Sequence, residues 1–179
     1  MNGYQTIFQI DKTYTWLREP LLARLPDNSL CCVIFTGGQN DGALENVVAA
    51  VRSDDNGSTW SDLEILASQD GESAWAPSMF VHEGKAHIFW YTSKDRKRYR
   101  KTNRVLSTGD DGRTFVEDRI IQEDWITEFG VDIRHGTYLR DGRVLLGMAW
   151  MEPLKECDLD WKCDDPDSPF FHFQTTETV

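Results

Sequence analysis

Three side chains in the first quarter of the chain have types suited to ionic and acid–base chemistry. Arg18 carries a planar guanidinium, which holds a carboxylate through two parallel hydrogen bonds. Asp41 lies in the turn-rich segment GGQNDG, and Glu45 follows it closely. A carboxyl group in such a loop can protonate a leaving oxygen when its pKa is raised. The alternatives are a salt bridge between Arg18 and Glu19 and a turn-forming role for Asp41.

A second group of candidates consists of Trp75, Arg134 and His135. Their aromatic and basic types suit ring contacts and hydrogen bonds to a ligand, and each stands where a predicted strand begins. Aromatic residues at such positions belong more often to the hydrophobic core. Both interpretations of Trp75 therefore stay open at the level of sequence.

An internal repeat shows which elements must position these residues. Residues 53–60 read SDDNGSTW and residues 108–115 read TGDDGRTF, so both fit Ser/Thr-x-Asp-x-Gly-x-Thr-aromatic with a displacement of 55 residues. We call them the first and second boxed turns. A further displacement of 55 reaches CDDPDSPF, residues 163–170, which we interpret as a decayed third copy. The aspartates, Asp55 and Asp110, are expected to bond the turn backbone, which is a structural role.

A second repeat predicts the strands around these turns. The segments LPDNSLCCVIF, VHEGKAHIFW and LRDGRVLLGMAW each place a polar turn before an apolar run, and strand-like residues follow each boxed turn. Four antiparallel strands in a repeat of about 50 residues are typical of a β-propeller blade. The sequence thus predicts an all-β fold with about three four-stranded blades, at residues 16–67, 75–122 and 128–179. Residues 4–11 are expected to form a leading strand.

Antiparallel order separates the two ends of such blades. The tight turns and the boxed turns share one end. The opposite end receives the irregular loops and the candidate residues: Arg18, Asp41, Glu45, Trp75, Arg134 and His135. It also receives the loop at residues 94–104, which holds seven of the nineteen basic residues, and the acidic loop at residues 152–161. Varied loops on one rim of a regular scaffold indicate a functional face.

Composition and charge exclude several classes of function. The 179 residues carry a net charge of −11, which disfavours general nucleic-acid binding. No apolar run approaches the roughly 18 residues of a membrane helix. The four cysteines lack zinc-site spacing, so neither a metal nor a cofactor is predicted. The basic run at residues 94–104 predicts either a patch for anionic partners or a solvated hairpin.

The boxed turns resemble the Asp-boxes, or BNR repeats, of the sialidase superfamily. Three further segments carry the resemblance. Arg18-Glu19-Pro20 is similar to the Arg-Ile-Pro segment of sialidases, with Glu19 in place of the isoleucine, and Asp41 lies near the position of the family's acid/base aspartate. HGTYLRDGRVLL, at residues 135–146, resembles the family's HGIQL-x-x-GRL segment. The family has six blades, so the chain would be the N-terminal half of the ring.

The resemblance implies a retaining, exo-sialidase-like glycoside hydrolase that acts on terminal acidic sugars of glycans. Arg18 would hold the sugar carboxylate and Asp41 would be the acid/base. Further sugar contacts would come from Glu45, Trp75, Arg134 and His135. Because the family's nucleophilic tyrosine lies in later blades, the chain alone is not expected to hydrolyse sialosides.

Three alternatives stay open beside this interpretation. The chain could be a non-catalytic module that binds glycan or protein, or two copies could close the ring as a homodimer. It could also belong to an Asp-box hydrolase or lyase that acts on uronic-acid sugars.

Overall fold

The computed structural model describes residues 4–40, 42–94, 101–123, 131–152 and 172–178, and every extended regular element in them is a β-strand. Those residues contain no helix that is long and apolar enough to cross a membrane. Sheet one consists, in chain order, of β1 (Leu17–Arg24), β2 (Leu30–Thr36), β3 (Val47–Ser53) and β4 (Glu64–Ala67). Sheet two consists of β5 (Ser73–His82), β6 (Lys85–Ser93), β7 (Lys101–Thr108) and β8 (Phe115–Glu123). Sheet three contains β9 (Val131–Tyr138), β10 (Val144–Glu152) and β11 (His172–Thr178).

The three sheets are successive blades of a β-propeller, as the sequence predicts. Neighbouring strands are antiparallel in every sheet. The first strand of each sheet contacts the first strand of the next, since β1 lies against β5 and β5 lies against β9. These first strands are therefore the inner strands, and the later strands of each blade lie further out.

The middle strands are buried on both faces, because each blade packs against neighbours on two sides. In β2, Cys31 and Val33 belong to the core shared with Ile88 and Trp90 of sheet two, whereas Cys32 and Ile34 face the other side. Full burial of one such aliphatic side chain contributes about 1.5–3 kcal/mol. Burial also raises the pKa of the Cys31 thiol to about 11, which keeps it protonated at neutral pH.

The N-terminal segment differs from the expectation. Residues 4–11 form no strand; instead, Ile7 and Phe8 pack against the outer face of sheet one, next to Cys32 and Ile34. Gln5 Nε2 donates a hydrogen bond to the backbone oxygen of Ser58 in the first boxed turn. The period-two pattern that predicts a strand therefore reflects apolar side chains that cover this face.

Sheet three corrects the expected position of the last segment. β11 pairs directly with β10, so it occupies the place of the third strand and not of the fourth. In sheets one and two the boxed turn follows the third strand, whereas residues 163–170 precede β11 and lie outside the described residues. The interpretation of residues 163–170 as a third boxed turn is therefore wrong in its topological place.

The tight turns and the boxed turns meet at one end of the blades. Arg113 of the second boxed turn donates to Asp27 Oδ2, at 3.1 Å, and to both carboxylate oxygens of Asp54 in the first boxed turn. A Cβ atom at Gly112 would lie 2.7 Å from Cβ of Pro26, which shows how closely the second boxed turn approaches the β1–β2 turn. The hydrogen bonds from Arg113 lower the pKa of Asp54.

Each boxed turn is closed by one aspartate, and the aspartates are not at equivalent positions. In the first, Asp55 accepts hydrogen bonds from the Thr59 amide, at 2.8 Å, and from the Thr59 hydroxyl, at 2.6 Å. In the second, Asp111 accepts from the amides of Arg113 and Thr114, both at 2.9 Å. The repeat alignment selects Asp110, so this assignment is corrected to Asp111. The register shift beside Thr108 displaces the second turn by one residue.

These hydrogen bonds lower the pKa of both closing aspartates to about 2, chiefly through the Thr59 hydroxyl for Asp55 and the Thr114 side chain for Asp111. A carboxyl whose pKa is depressed in the folded state stabilises that state above the unfolded pKa. The contribution is fully present above about 4 and is lost as the pH falls from there to about 2.

The basic run is divided between strand and loop. Lys101 and Arg104 lie in β7, and residues 95–100 lie outside the described residues. Lys101 is 1% exposed, and Arg104 donates to Asp118 Oδ2, at 2.6 Å. These two residues therefore belong to the blade and not to a loop patch, since the alternation of a strand places their stems against aromatic rings.

We predict that Asp111→Asn lowers the free energy of unfolding at neutral pH, whereas Asp110→Asn leaves it unchanged. Only Asp111 closes the turn, and an amide cannot accept as strongly as a carboxylate. Chemical denaturation at several pH values measures this. The deficit of Asp111→Asn is expected to shrink as the pH falls from about 4 to about 2. Equal effects of the two substitutions would contradict the corrected assignment.

Candidate functional site

One extra residue interrupts the inner strand of sheet one and of sheet two close to where each strand begins. In β1, Arg18 and Leu21 lie opposite residues of β2 that are only two positions apart. In β5, Trp75 and Ser78 lie opposite two similarly spaced residues of β6. Such β-bulges bend a strand and re-aim its side chains, and they are over-represented beside active sites.

The inner strand of sheet three carries the same feature. In β9, Ile133 and His135 are two positions apart, but their partners Met148 and Gly147 are adjacent, so Arg134 is the extra residue. The bulges of all three inner strands thus coincide with candidate residues from the sequence. Each lies toward the end of the blade opposite to the boxed turns.

Proline explains two of the three bulges. Pro20 and Pro77 are 57 residues apart and lie within the bulges of β1 and β5. Proline has no amide hydrogen for the ladder, so within sheets it is confined to edges, strand starts and bulges. This spacing is a signal in the sequence that predicts a bulge beside both Arg18 and Trp75. Glu19, next to Pro20, has a φ of 49°, which is a costly conformation for a residue other than glycine.

Arg18 is exposed at the beginning of β1. Its guanidinium carbon lies 5.7 Å from the ring centroid of Trp16, in a cation–π arrangement. Trp16 is itself held, because its backbone oxygen accepts a hydrogen bond from the buried Thr36 hydroxyl. The structure therefore presents a guanidinium to solvent at the expected end of the blade, above a fixed aromatic ring.

Trp75 is a core residue in this structure. It is 2% exposed, its ring stacks on Tyr91 with centroids 4.9 Å apart, and Phe35 meets its edge at 6.1 Å. Both sides of the ring are thus engaged within the protein. Of the two interpretations of Trp75, the core interpretation agrees with its burial, and the ring supports the site from below instead of stacking on a ligand.

Lys101 and Tyr91 extend this support and were missed by the sequence analysis. The Lys101 ammonium lies 4.8 Å from the ring centroid of Tyr91, which in turn stacks on Trp75. A buried lysine is uncommon unless its charge is compensated. The period-two pattern of β6 could have identified Tyr91 as buried, but the surrounding run of basic residues hides Lys101.

Asn46 ties the loop that contains Asp41 to both neighbouring blades. Its side-chain oxygen accepts from the Gly38 amide, at 2.9 Å, and its nitrogen donates to the backbone of Asn40 and to Ser73 Oγ. Its backbone oxygen accepts from the Ala74 amide at the start of β5. Because Asn46 is 1% exposed, these bonds fix the loop between Gly38 and Asn46 from within.

The other candidates can be placed only in part. Glu45 is exposed in the turn before Asn46, whereas Asp41 lies outside the described residues. For Arg134 and His135 the backbone is described, at the bulge of β9. Thr15 Oγ1 donates to Gly38 O, at 3.0 Å, so the loop of Glu45 and the start of β1 belong to one bonded unit. In the described residues no group of three His, Cys, Asp or Glu could hold a metal ion.

Comparison with known proteins supports the architecture. No protein-family model and no curated protein matches the sequence. Solved structures do match, among them an α-L-arabinofuranosidase from Fusarium graminearum bound to an iminosugar inhibitor, with a TM-score of 0.55, 14% identity and coverage of 88% of this chain and 44% of the other. An α-L-arabinanase from Penicillium chrysogenum, complexed with arabinobiose, has a TM-score of 0.54 at 15% identity, with coverage of 89% and 45%. A protein of unknown function from Dyadobacter fermentans has a TM-score of 0.53 at 17% identity, with coverage of 74% and 43%.

These matches concern the fold. The chain spans less than half the length of the solved structures that it resembles. At 14–17% identity they show a shared β-propeller architecture, and two of the named structures are glycosidases. The chain therefore has the fold of part of a propeller glycosidase.

We predict that Asn46→Ala lowers the free energy of unfolding by about 2–4 kcal/mol, because it leaves the buried Gly38 amide without an acceptor and severs the link to Ser73. Asn40→Ala is the matched control. Its side chain accepts only from the Gly42 amide, at 3.0 Å within the same loop, so its effect should be clearly smaller. Denaturant titration measures both. An equal loss for the two variants would contradict the linking role of Asn46.

Proposed function

We propose that this chain is the substrate-binding part of a propeller glycoside hydrolase that acts on terminal acidic sugars. The observation that carries the proposal is the position of Arg18. Its guanidinium is exposed at a strained bulge of the inner strand, over Trp16, at the end of the blades where the candidate residues gather. Glycosidases with a related fold bind their sugars as named complexes, which supports a carbohydrate ligand in general.

An acidic sugar follows from the chemistry of Arg18. A planar guanidinium binds a carboxylate through two hydrogen bonds and stacks on an aromatic ring at the same time. The chain as a whole is strongly acidic, with a net charge of −11, so an anionic ligand would be repelled by most of the surface. Arg18 supplies a local cation, and the strain at Glu19 is the kind of feature that accompanies functional sites.

The catalytic part of the proposal rests on the loop held by Asn46. Asp41 would donate a proton to the glycosidic oxygen as the bond breaks, and Glu45 is the nearby carboxylate that could replace it in this role. Arg134 and His135, at the bulge of β9, would contact the sugar ring. In this proposal Trp75 acts as a support for the site. The nucleophile is not assigned to any residue of the chain.

Two other functions would use the same face and are separated by ligand choice. A uronic-acid hydrolase or lyase would also need Arg18, but it would prefer galacturonate or glucuronate to N-acetylneuraminate. A non-catalytic glycan-binding module, alone or as a homodimer, would bind such sugars without turnover. A protein with arabinan specificity would bind arabinobiose independently of Arg18.

We predict that N-acetylneuraminate binds the chain and that Arg18→Ala weakens this binding about tenfold or more, since a charge-assisted bidentate pair is lost. Arg18→Lys should restore only part of the affinity, because an ammonium cannot make the paired contact. NMR chemical-shift titration measures both the affinity and the residues affected. The shifts are expected at residues 15–18, 38–46 and 133–136.

Arg140→Ala is the matched control, since Arg140 is an exposed arginine in the β9–β10 turn at the other end of the blade. It should bind N-acetylneuraminate as the unmodified chain does. Equal weakening by Arg18→Ala and Arg140→Ala would indicate nonspecific charge attraction and contradict the proposal. Stronger binding of a uronate or of arabinobiose would overturn the assigned sugar class.

A further inference from the structure

A polar cleft of about 750 Å³ lies between the two boxed turns, at the end of the blades opposite to Arg18. Sheet one contributes Arg52, Trp60, Asp62 and Glu64 to its lining, and the second boxed turn contributes Arg113 and Thr114. The cleft thus spans two blades. None of these residues takes part in the proposed function.

Two buried hydrogen-bond donors of this cleft have no partner among the described residues: Nη1 of Arg52 and Nε1 of Trp60. The Arg52 side chain is only 9% exposed. Its Nε donates to Glu64 Oε2, at 3.2 Å, and its guanidinium lies over the ring of Phe115. Buried donors in proteins are nearly always satisfied, so a pair of unsatisfied donors in one cleft indicates a ligand that supplies acceptors.

The charges around the cleft restrict what this ligand can be. Six ionisable side chains line it: Arg52, Arg113, Asp54, Asp55, Asp62 and Glu64. Carboxylates therefore outnumber guanidiniums, and an anionic ligand would meet net repulsion. A simple cation would leave the two donors unsatisfied, because it has no acceptors.

A neutral, hydroxyl-rich ligand meets both requirements. Each hydroxyl group accepts one hydrogen bond and donates another. Its oxygen atoms can accept from Arg52 and Trp60, and its protons can be donated to the exposed carboxylate of Asp62. Trp60 adds an apolar ring surface of the kind that packs against sugar C–H groups. We propose that the cleft is a second carbohydrate-binding site, which takes neutral saccharide units and is separate from the face of Arg18.

The test uses maltose, lactose and arabinobiose as neutral probes, each titrated into the whole chain and followed by NMR chemical shifts. We expect at least one of them to shift resonances of residues 52–64 and 111–114. N-acetylneuraminate should leave these resonances unchanged. Failure of all three neutral disaccharides to shift them, or a response there to the acidic sugar alone, would overturn the proposal.

Trp60→Phe and Asp62→Asn test the two sides of the site. Trp60→Phe keeps an aromatic ring in the core and removes the N–H, which should weaken neutral-sugar binding about fivefold, the loss of one hydrogen bond. Asp62→Asn is an exposed, conservative change that should weaken it by a similar factor. Asp70→Asn, at an exposed turn elsewhere, is its matched control and should have no effect.

Arg18→Ala separates this proposal from the proposed function. It should abolish the response at residues 15–18 to N-acetylneuraminate and leave neutral-sugar binding in the cleft unchanged. Loss of neutral-sugar binding in Arg18→Ala, or retention of full binding in both Trp60→Phe and Asp62→Asn, would overturn the second site.

Discussion

Burial of both faces of the middle strands is the constraint on which the rest of this structure depends. β2 and β3 are buried along nearly their whole length, and Cys31 and Cys32 face opposite cores. A blade with two buried faces cannot present a catalytic or binding side chain from its centre, because a polar group there would have to be satisfied within the protein. Chemistry is therefore restricted to the two ends of the blades and to the strands that border the axis.

The two ends are held by different means. At one end, Asp55 and Asp111 close short turns, and Arg113 joins the turns of neighbouring blades through Asp54 and Asp27. The other end has bulges in the inner strands and a loop tied by Asn46. Regular turns keep one end nearly fixed, whereas bulges re-aim individual side chains at the other. This difference explains why the candidate residues lie at the beginnings of the inner strands.

Much of this architecture could be predicted from the sequence, because it follows from local patterns. The boxed turns, the tight turns and the apolar runs locate the blades, and strand alternation separates the two ends. The displaced aspartate of the second boxed turn could not be predicted, since a one-residue register shift beside Thr108 is set by pairing between strands. The burial of Trp75 and Lys101 likewise depends on Tyr91 and Phe35, which come from different strands and sheets. Pro20 and Pro77 did carry a readable signal for the bulges, in their spacing.

The central claim is that the face of Arg18 binds an acidic sugar by its carboxylate. A crystal structure of the chain grown with N-acetylneuraminate tests this most directly. The account predicts a sugar whose carboxylate is paired with the Arg18 guanidinium through two hydrogen bonds, beside Trp16 and the loop of Glu45. A sugar bound only at the boxed turns, or an Arg18 side chain turned away from an occupied site, would contradict it.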